Sequence, residues 1–362
     1  MKSFFGKIVS PLIIFVIVEL FFLTSTWENV ERKALNQLFE IRGSIQTYDD
    51  ILLVTIDDDT FSALDTNWPF PRDYYARVIN NLEKAGAKLI VFDVLFTEST
   101  NEKADSILAH TATQYNNIVF AGKLNKQSGN MFESSQIIKP IPSILQHDVP
   151  WGLVNITYDK DSFVRNYNLY QKHDDENFFS LGIVALSHLN QKNTLGWKSK
   201  IKLEPKRMKI NNYEIPMQSK NSLLINFYGP KATFNSVSFG NVIDDAEFEM
   251  ATFDIDAFEE EMATGKFKDK IILIGSTAEE LHDNFATPFF SNGQLTSGVE
   301  IHANFLEMVL HDDYLYKIHY LYVVLAHLLL LIIIFIINSY LKPNVSFLIN
   351  LSLIILSIIG SF

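Results

Sequence analysis

The stretches ILLVTID (51–57), AKLIVFDVLF (87–96) and KIILIGS (270–276) decide the fold of this 362-residue chain. Each is a short, nearly continuous apolar run, the pattern of a strand buried on both faces. Between the first two, Tyr75, Val78, Ile79 and Leu82 recur at helical spacing over Arg72–Ala85, and Gly86 stands where a helix-ending glycine belongs. Strand, helix, strand at this distance is a βαβ unit, with parallel strands and a right-handed crossover. A helix over Lys103–Tyr115 and a strand over NIVFAGKL (117–124) repeat the step.

Working outward, WGLVNITY (151–158) and FVRNYNLYQ (163–171) flank Asp159–Ser162 and read as a hairpin. A helix is expected over Phe178–Leu189, short strands over Lys200–Gln218, a stronger strand in SLLINFYG (222–229), and a helix over Val299–Leu310. Thr97–Lys103, Lys126–Ser135 and Lys192–Ser199 read as loops. The expected fold class is α/β: a mixed, centrally parallel sheet with helices and hairpin additions, flanked by transmembrane helices.

The flanks are the apolar runs PLIIFVIVELFFL (11–23), LYVVLAHLLLLIIIFII (321–337) and VSFLINLSLIILSIIGSF (345–362). With their neighbours they approach the 20 or so residues that cross a bilayer. Lys2, Lys7 and Lys342 are the only basic residues outside the polar block, and basic short loops stay cytoplasmic. The expected layout is a cytoplasmic 1–7, a span at 8–24, an extracytoplasmic domain at 25–318, a span at 319–338, a short cytoplasmic loop at 339–344 and a span at 345–362. The chain therefore reads as a nearly complete module lacking one further span and a cytoplasmic signalling domain. A cleaved signal peptide at the amino terminus is the competing reading; Leu23-Thr24-Ser25-Thr26-Trp27 is a poor cleavage site and Glu19 interrupts the apolar core. Trp27, Val30, Ala34, Leu38 and Ile41 share one face of a helix that follows the first span, either as a stalk or packed on the domain.

The formal charge is −12, carried by the block between the spans, which argues against nucleic acid as a partner. With no cysteine, disulfides, thiolate metal sites and cysteine catalysis are excluded.

Asp57, Asp58 and Asp59 follow the first strand and Asp93 lies near the end of the second, the edge where open parallel sheets bind ligands. Such carboxylates suit a hard cation such as Mg²⁺ or Ca²⁺. The structural alternative, preferred here, has Asp57 and Asp93 accepting from loop amides and Arg72. Trp68-Pro69-Phe70-Pro71-Arg72 is a stiff, doubly proline-constrained segment, either an aromatic wall beside a cation or a rigid lid on the sheet edge. Gly275-Ser276 lacks nucleophile-turn spacing, although Asp283 and His302 lie downstream, and no phosphate-binding glycine loop is present. On the helix opened by Gly298-Val299-Glu300-Ile301-His302-Ala303-Asn304, Glu300 and Asn304 share a side while His302 faces elsewhere as a buried, hydrogen-bonded histidine.

These motifs together resemble the type-two CHASE domain, an extracytoplasmic sensor family associated with cyclases and histidine kinases. The resemblance runs from Leu53 through Trp68–Arg72, Gly86-Ala87 and Phe92-Asp93, then Asp159–Arg165 and Ile225–Gly229. It is most specific over Lys268–Ala278, Asp283, Thr287-Pro288 and Gly298–Asn304, and it covers about residues 30–315. Phe70 stands where the family has a second tryptophan, Tyr74-Tyr75 replaces leucine-histidine, Ser297 replaces a proline and Asp161-Ser162 an aspartate-glycine turn. Phe70 and Tyr75 bear on what a pocket accepts.

The resemblance implies an input module with one span before the sensor, three after it, and a cytoplasmic cyclase or kinase. It carries over no catalytic residue and no cofactor. The candidate ligand-binding residues are Asp57, Trp68, Phe70, Arg72, Asp93, Asp283, His302 and Asn304. Expected partners are a small-molecule or physical stimulus, membrane lipid and a cytoplasmic signalling domain, with a homodimer left open. The rival readings are a membrane-anchored, divalent-metal enzyme using the Asp57/Asp59/Asp93 edge, and a structural membrane subunit.

Overall fold

The computed structural model describes residues 24–340 except 65, 129–132, 190–195, 249–255 and 291–292, with scattered positions in 13–22 and 345–352. The chain divides into two units, residues 44–315 and the two flanks.

In the central unit the apolar runs are the strands of one sheet. They are β1 (Ile51–Ile56), β2 (Leu89–Leu95), β3 (Ile118–Ser128), β4 (Glu133–Ile138) and β5 (Trp151–Leu153). Next come β6 (Asn166–Asn168), β7 (Tyr170–His173), β8 (Glu176–Phe179), β9 (Ile201–Glu204), β10 (Arg207–Ile210), β11 (Tyr213–Pro216), β12 (Ser222–Leu224), β13 (Ser236–Ser238) and β14 (Ile271–Ser276). The main sheet runs β13-β1-β14-β2-β3, with β4 and β5 both on β3, and every pairing is parallel except β3–β4. The late strand β14 inserts between β1 and β2, so the centre of the sheet joins segments about 200 residues apart in sequence.

Two differences from the sequence reading have simple causes. Lys126–Ser135 is a hairpin connection rather than a free loop, because β3 continues to Ser128 and pairs back with β4 from Glu133. Asp159–Ser162 does turn, with Ser162 N–H donating to the Asp159 carbonyl at 3.0 Å and Asp159 N–H to the Phe163 carbonyl at 2.7 Å, but beyond this closure the flanks form no ladder with each other. β5 joins β3, and β6 joins β12, antiparallel. Arg165 explains the tight turn: its guanidinium, 2 % exposed, donates to Asp159 at 2.8 Å and to both Asp161 oxygens at 2.9 Å. β9, β10 and β11 form a separate antiparallel sheet, and β7 and β8 a hairpin.

Helices cover both faces. In chain order the central unit has α2 (Asp58–Ala63), α3 (Arg72–Lys84), α4 (Glu102–Gln114), α5 (Pro142–Leu145), α6 (Leu181–His188), α7 (Phe239–Ile243), α8 (Ala257–Ala263) and α9 (Gly298–Leu310), after α1 (Ser25–Arg42) in the flank. Ile90, Phe92, Val94, Phe120, Ile272 and Ile274 face a core closed by α3, α4, α5, α7 and α8. That core holds Tyr75, Phe92, Phe96, Phe120 and Phe239 in edge-on and stacked contacts. The alternate residues of β1, β2 and β14 face α6 and α9.

In the flanking unit, Thr24 caps α1 by accepting from Trp27 N–H. α10 (Tyr320–Tyr340) contains an 18-residue stretch, Tyr320–Ile337, without a charged residue. At 1.5 Å per residue it spans about 27 Å. Among the described residues it is the one helix long and apolar enough to cross a membrane. The expected spans at 8–24 and 345–362 fall largely outside the described residues. Within this unit Glu19 accepts from Tyr320 Oη and pairs with His327 Nδ1, each at 2.8 Å.

Candidate functional site

Strand alternation puts Asp93 on the α9 side of β2, opposite the aromatic face carrying Phe92 and Val94. Its register partner is Gly275 on β14. A Cβ at Gly275 would lie 2.7 Å from Val299 Cβ and 3.2 Å from Asp93 Cβ, so glycine there lets α9 lie directly on the strands. The Asp93 side chain is 6 % exposed.

His302, 1 % exposed, descends from α9 to bring Nε2 within 4.0 Å of Asp93 Oδ1. Its Nδ1 is 2.6 Å from Tyr167 Oη, and the two rings meet edge-on. Tyr167 Oη also accepts from the Gly182 amide at 3.1 Å. The Gly182 amide takes one of the two acceptor positions on Tyr167 Oη, and the proton shared by Tyr167 Oη and His302 Nδ1 follows the imidazole tautomer. Among the described residues, neither His302 Nε2 nor Asp93 Oδ2 has a hydrogen-bond partner. Buried polar atoms without partners are uncommon and costly.

Asp283 approaches from the loop after β14. Its carbonyl accepts from the Gly298 amide at the start of α9, at 3.0 Å. A Cβ on Gly298 would stand 2.3 Å from Asp283 Oδ2, so only glycine leaves the carboxylate its place. Burial, and then the charge of Asp283, raise the Asp93 carboxyl well above the ordinary carboxylate range. Burial also raises Asp283, against the opposing pull of Lys123 and the Gly298 amide. Burial pushes His302 down to about 3, so it is neutral at physiological pH. The site is therefore two carboxylates that resist joint ionisation beside a neutral imidazole.

Of the eight candidate residues, Asp93 and His302 face each other, with Asp283 at the start of α9 acting on Asp93 by its charge; the other five serve elsewhere. Asp57 caps α2: Oδ1 accepts from Thr60 N–H (2.9 Å), Thr60 Oγ1 (2.7 Å) and Ser238 Oγ (2.8 Å), and Oδ2 from Thr55 Oγ1 (2.8 Å). Asp58 and Asp59 are exposed in the first turn of that helix. Arg72 reaches neither Asp57 nor Asp93; it is buried against Asp105 (3.7 Å), the Glu98 carbonyl (3.3 Å) and the Phe96 ring. Trp68 and Phe70 pack edge-on at 5.3 Å, with Phe70 buried against Phe61 and Phe239. The outer side of Pro69–Arg72 lines a groove of about 520 Å³ closed by Thr100–Ala104. Asn304 accepts from Tyr228 N–H at 2.8 Å and donates to the Glu300 carbonyl at 2.7 Å, which pins the chain after β12 to α9. Among the described residues no three acidic or histidine side chains are arranged to hold a metal ion.

Tyr167 and Lys123 escaped the sequence reading. A histidine on an apolar helix demands a partner, but nothing near His302 in sequence points to a tyrosine 135 residues away.

With this geometry in place, comparison against protein families matches residues 12–337 to the CHASE2 domain, nearly the whole chain. The chain belongs to the CHASE2 domain family. No curated protein and no solved structure matches it. CHASE2 domains are extracellular sensory domains of cyclases and kinases, sensory rather than catalytic, and are extracytoplasmic parts of membrane proteins. In this CHASE2 domain, Asp93, Gly275, Asp283, Gly298 and His302 come from the segments that carried the sequence resemblance, gathered at the carboxyl edge of β2 and β14.

Proposed function

We propose that this chain is the input module of a multi-pass membrane receptor. Its CHASE2 domain lies outside the cytoplasm and relays a stimulus through flanking membrane helices to a cytoplasmic cyclase or kinase. One observation carries the relay. The segments through which the chain enters and leaves the central unit are clasped to each other. Tyr48 N–H donates to Glu307 Oε1 at 2.5 Å, the Tyr48 ring stacks on His311 at 3.6 Å, and His311 pairs with Asp50 at 2.8 Å. Tyr228 Oη donates to Asp313 at 2.6 Å beside them. α9 thus starts beside Asp283 and ends at the clasp, five residues before the unit does at Leu315. A change at one end of this rigid 13-residue helix is felt at the other.

A ligand moves a two-state domain only through its differential affinity for the two states. The partly unsatisfied Asp93–His302 contact supplies such a difference, since a closer arrangement would satisfy both groups.

The proposed topology is directly testable because the chain has no cysteine of its own. Single cysteines introduced at exposed Lys123 or Glu280 are expected to react with a membrane-impermeant maleimide on intact cells, and one at Lys342 only after permeabilisation. Labelling of Lys342→Cys but not of Glu280→Cys on intact cells would reverse the orientation.

A further inference from the structure

Between Gly196 and Lys220 the chain carries seven basic residues and two acidic ones, in a protein whose formal charge is −12. They gather on and around β9, β10 and β11. The register fixes which way they point. Ile210 pairs with Ile201 and Tyr213, and Met208 with Leu203 and Ile215, so these share the inner face, where Met208, Ile210 and Ile215 are fully buried. The outer face carries one row of Lys202, Lys209 and Glu214 and a second of Glu204, Arg207 and Pro216. Both acids on that face are already engaged. Glu204 pairs with Arg207 at 2.6 Å and Lys209 at 3.2 Å, and Glu214 with the same two at 2.9 and 3.3 Å. Lys202, Lys206 and Lys220 are exposed and, among the described residues, pair with no carboxylate.

The same sheet stands where the chain leaves the central unit. Met217, directly after β11, donates its N–H to the Lys206 carbonyl at 2.8 Å, and Gln218 Nε2 donates to the Leu315 carbonyl. Leu315 is the last residue of the unit, and α10 begins at Tyr320. Five residues of extended chain reach at most about 18 Å. The Lys206 turn is therefore tied to the point from which α10 is a short tether away. Acids at this exit are held by their neighbours: Asp313 accepts from Tyr228 Oη at 2.6 Å and Asp50 pairs with His311 at 2.8 Å, while Asp312 is exposed. A cationic patch on an otherwise acidic domain, beside an apolar helix of membrane-spanning length, is complementary to a negatively charged bilayer surface.

We infer that the outer face of β9–β11, through Lys202, Lys206 and Lys220, docks on anionic phospholipid headgroups around α10. Docking fixes the exit at Leu315 on the bilayer surface and makes the resting position of the domain depend on lipid charge. It rests on the reading of α10 as a membrane span, and the experiment separates the two.

Because the chain has no cysteine, bimane is placed at single positions of the full chain in nanodiscs of phosphatidylcholine, alone or mixed with phosphatidylglycerol. Bimane on Pro205→Cys, in the exposed turn before Lys206, is expected to be quenched by a headgroup-nitroxide lipid in the mixed discs and much less in phosphatidylcholine. The difference should fade as salt shortens the Debye length from about 10 Å at 0.1 M to about 3 Å at 1 M. The docked-to-free ratio should fall about fivefold for each of Lys202→Gln, Lys206→Gln and Lys220→Gln. Lipid composition and salt are varied with all three lysines present, so they decide the outcome even where a variant folds poorly. Equal quenching in both discs, insensitivity to salt, or an unchanged triple variant would each overturn the docking. A bimane response that follows the number of chains per disc and not the lipid charge would give the face to a second copy and overturn it as well. Bimane on Leu329→Cys, read with an acyl-chain nitroxide, reports the span on its own. With that quenching present, insensitivity at Pro205→Cys removes only the docking; without it, the span reading falls and the docking with it.

Discussion

His311 Nε2 stands 2.8 Å from Asp50 Oδ2, joining residues 261 positions apart where the chain enters and leaves the sensor domain. The pair is partly exposed, at 25 % and 47 %, so its electrostatic worth is modest, and the stack of His311 on Tyr48 adds to it. His311→Ala is expected to destabilise the domain by about 1–2 kcal/mol, the sum of an exposed pair and one aromatic contact. The His311→Ala/Asp50→Ala double variant should cost little more than His311→Ala alone, since the second change removes a partner already lost. Urea denaturation of the native chain, Asp50→Ala, His311→Ala and the double variant measures the coupling.

The buried site makes stability depend on pH in two opposite ways. Asp93 is raised by burial and by Asp283, so the folded state binds more protons than the unfolded one above the ordinary value of 3.8. Its contribution is present at low pH and is lost as pH rises through its folded value. Asp93→Asn should therefore flatten that loss and hold the domain at neutral pH at least as well as the native residue. Removing an unsatisfied buried charge is worth on the order of 1–3 kcal/mol. Melting temperature against pH for the two proteins reads this directly, and a steeper alkaline loss in the variant would contradict it.

His302 acts in the other direction. Burial lowers it from 6.5 to about 3, so the unfolded state takes up the proton first and stability falls on acidification between those values. His302→Gln, which cannot be protonated, should lose less stability than the native chain between pH 6.5 and pH 4. The same melting series decides it.

Gly298→Ala tests the packing of Asp283 against α9. Its Cβ would meet Asp283 Oδ2 at 2.3 Å, and the carboxylate must move. Overpacking of this kind costs about 1–3 kcal/mol. Alanine is also the better helix former, so a neutral or stabilising result would mean that Asp283 yields easily and is not held in place. Gly265→Ala, whose Cβ meets nothing within 4 Å but whose φ is +74°, serves as a control for backbone strain alone.

Arg165→Met addresses the turn that the sequence reading treated as a hairpin. It strands Asp159 and Asp161 at the domain edge and removes three charge-assisted hydrogen bonds from a buried guanidinium. Breaking one side of a buried pair costs about 3–5 kcal/mol, and half-exposed carboxylates bring the expected loss to the lower end. Chemical denaturation gives the value.

The strands and helices were legible because their signals are local. Ile51–Asp57 and Lys270–Ser276 announce buried strands by composition, and Gly86 ends α3 with the positive φ, +83°, that its type allows. The order of the strands was not legible, since β14 enters between β1 and β2 through long-range burial that no neighbouring residue encodes. The site divides the same way. Asp57 resembled a ligand by position, yet Thr60 three residues on marked a capping box. Asp93, Asp283 and His302 could be singled out as residue types, but their meeting depends on Gly275 and Gly298, whose lack of a side chain is what lets β2, β14 and α9 close together. Arg72 went to Asp105 rather than to Asp57 because its own helix packs on α4.

Flexible Gly-Ser linkers test the relay from sensor to membrane most directly. They are inserted after Ser25 and after Ile318, with the proposed cytoplasmic output read as nucleotide synthesis or phosphorylation. The domain is expected still to fold, with an unchanged melting temperature, while the output no longer responds to the stimulus. A full response with both linkers in place would contradict the relay.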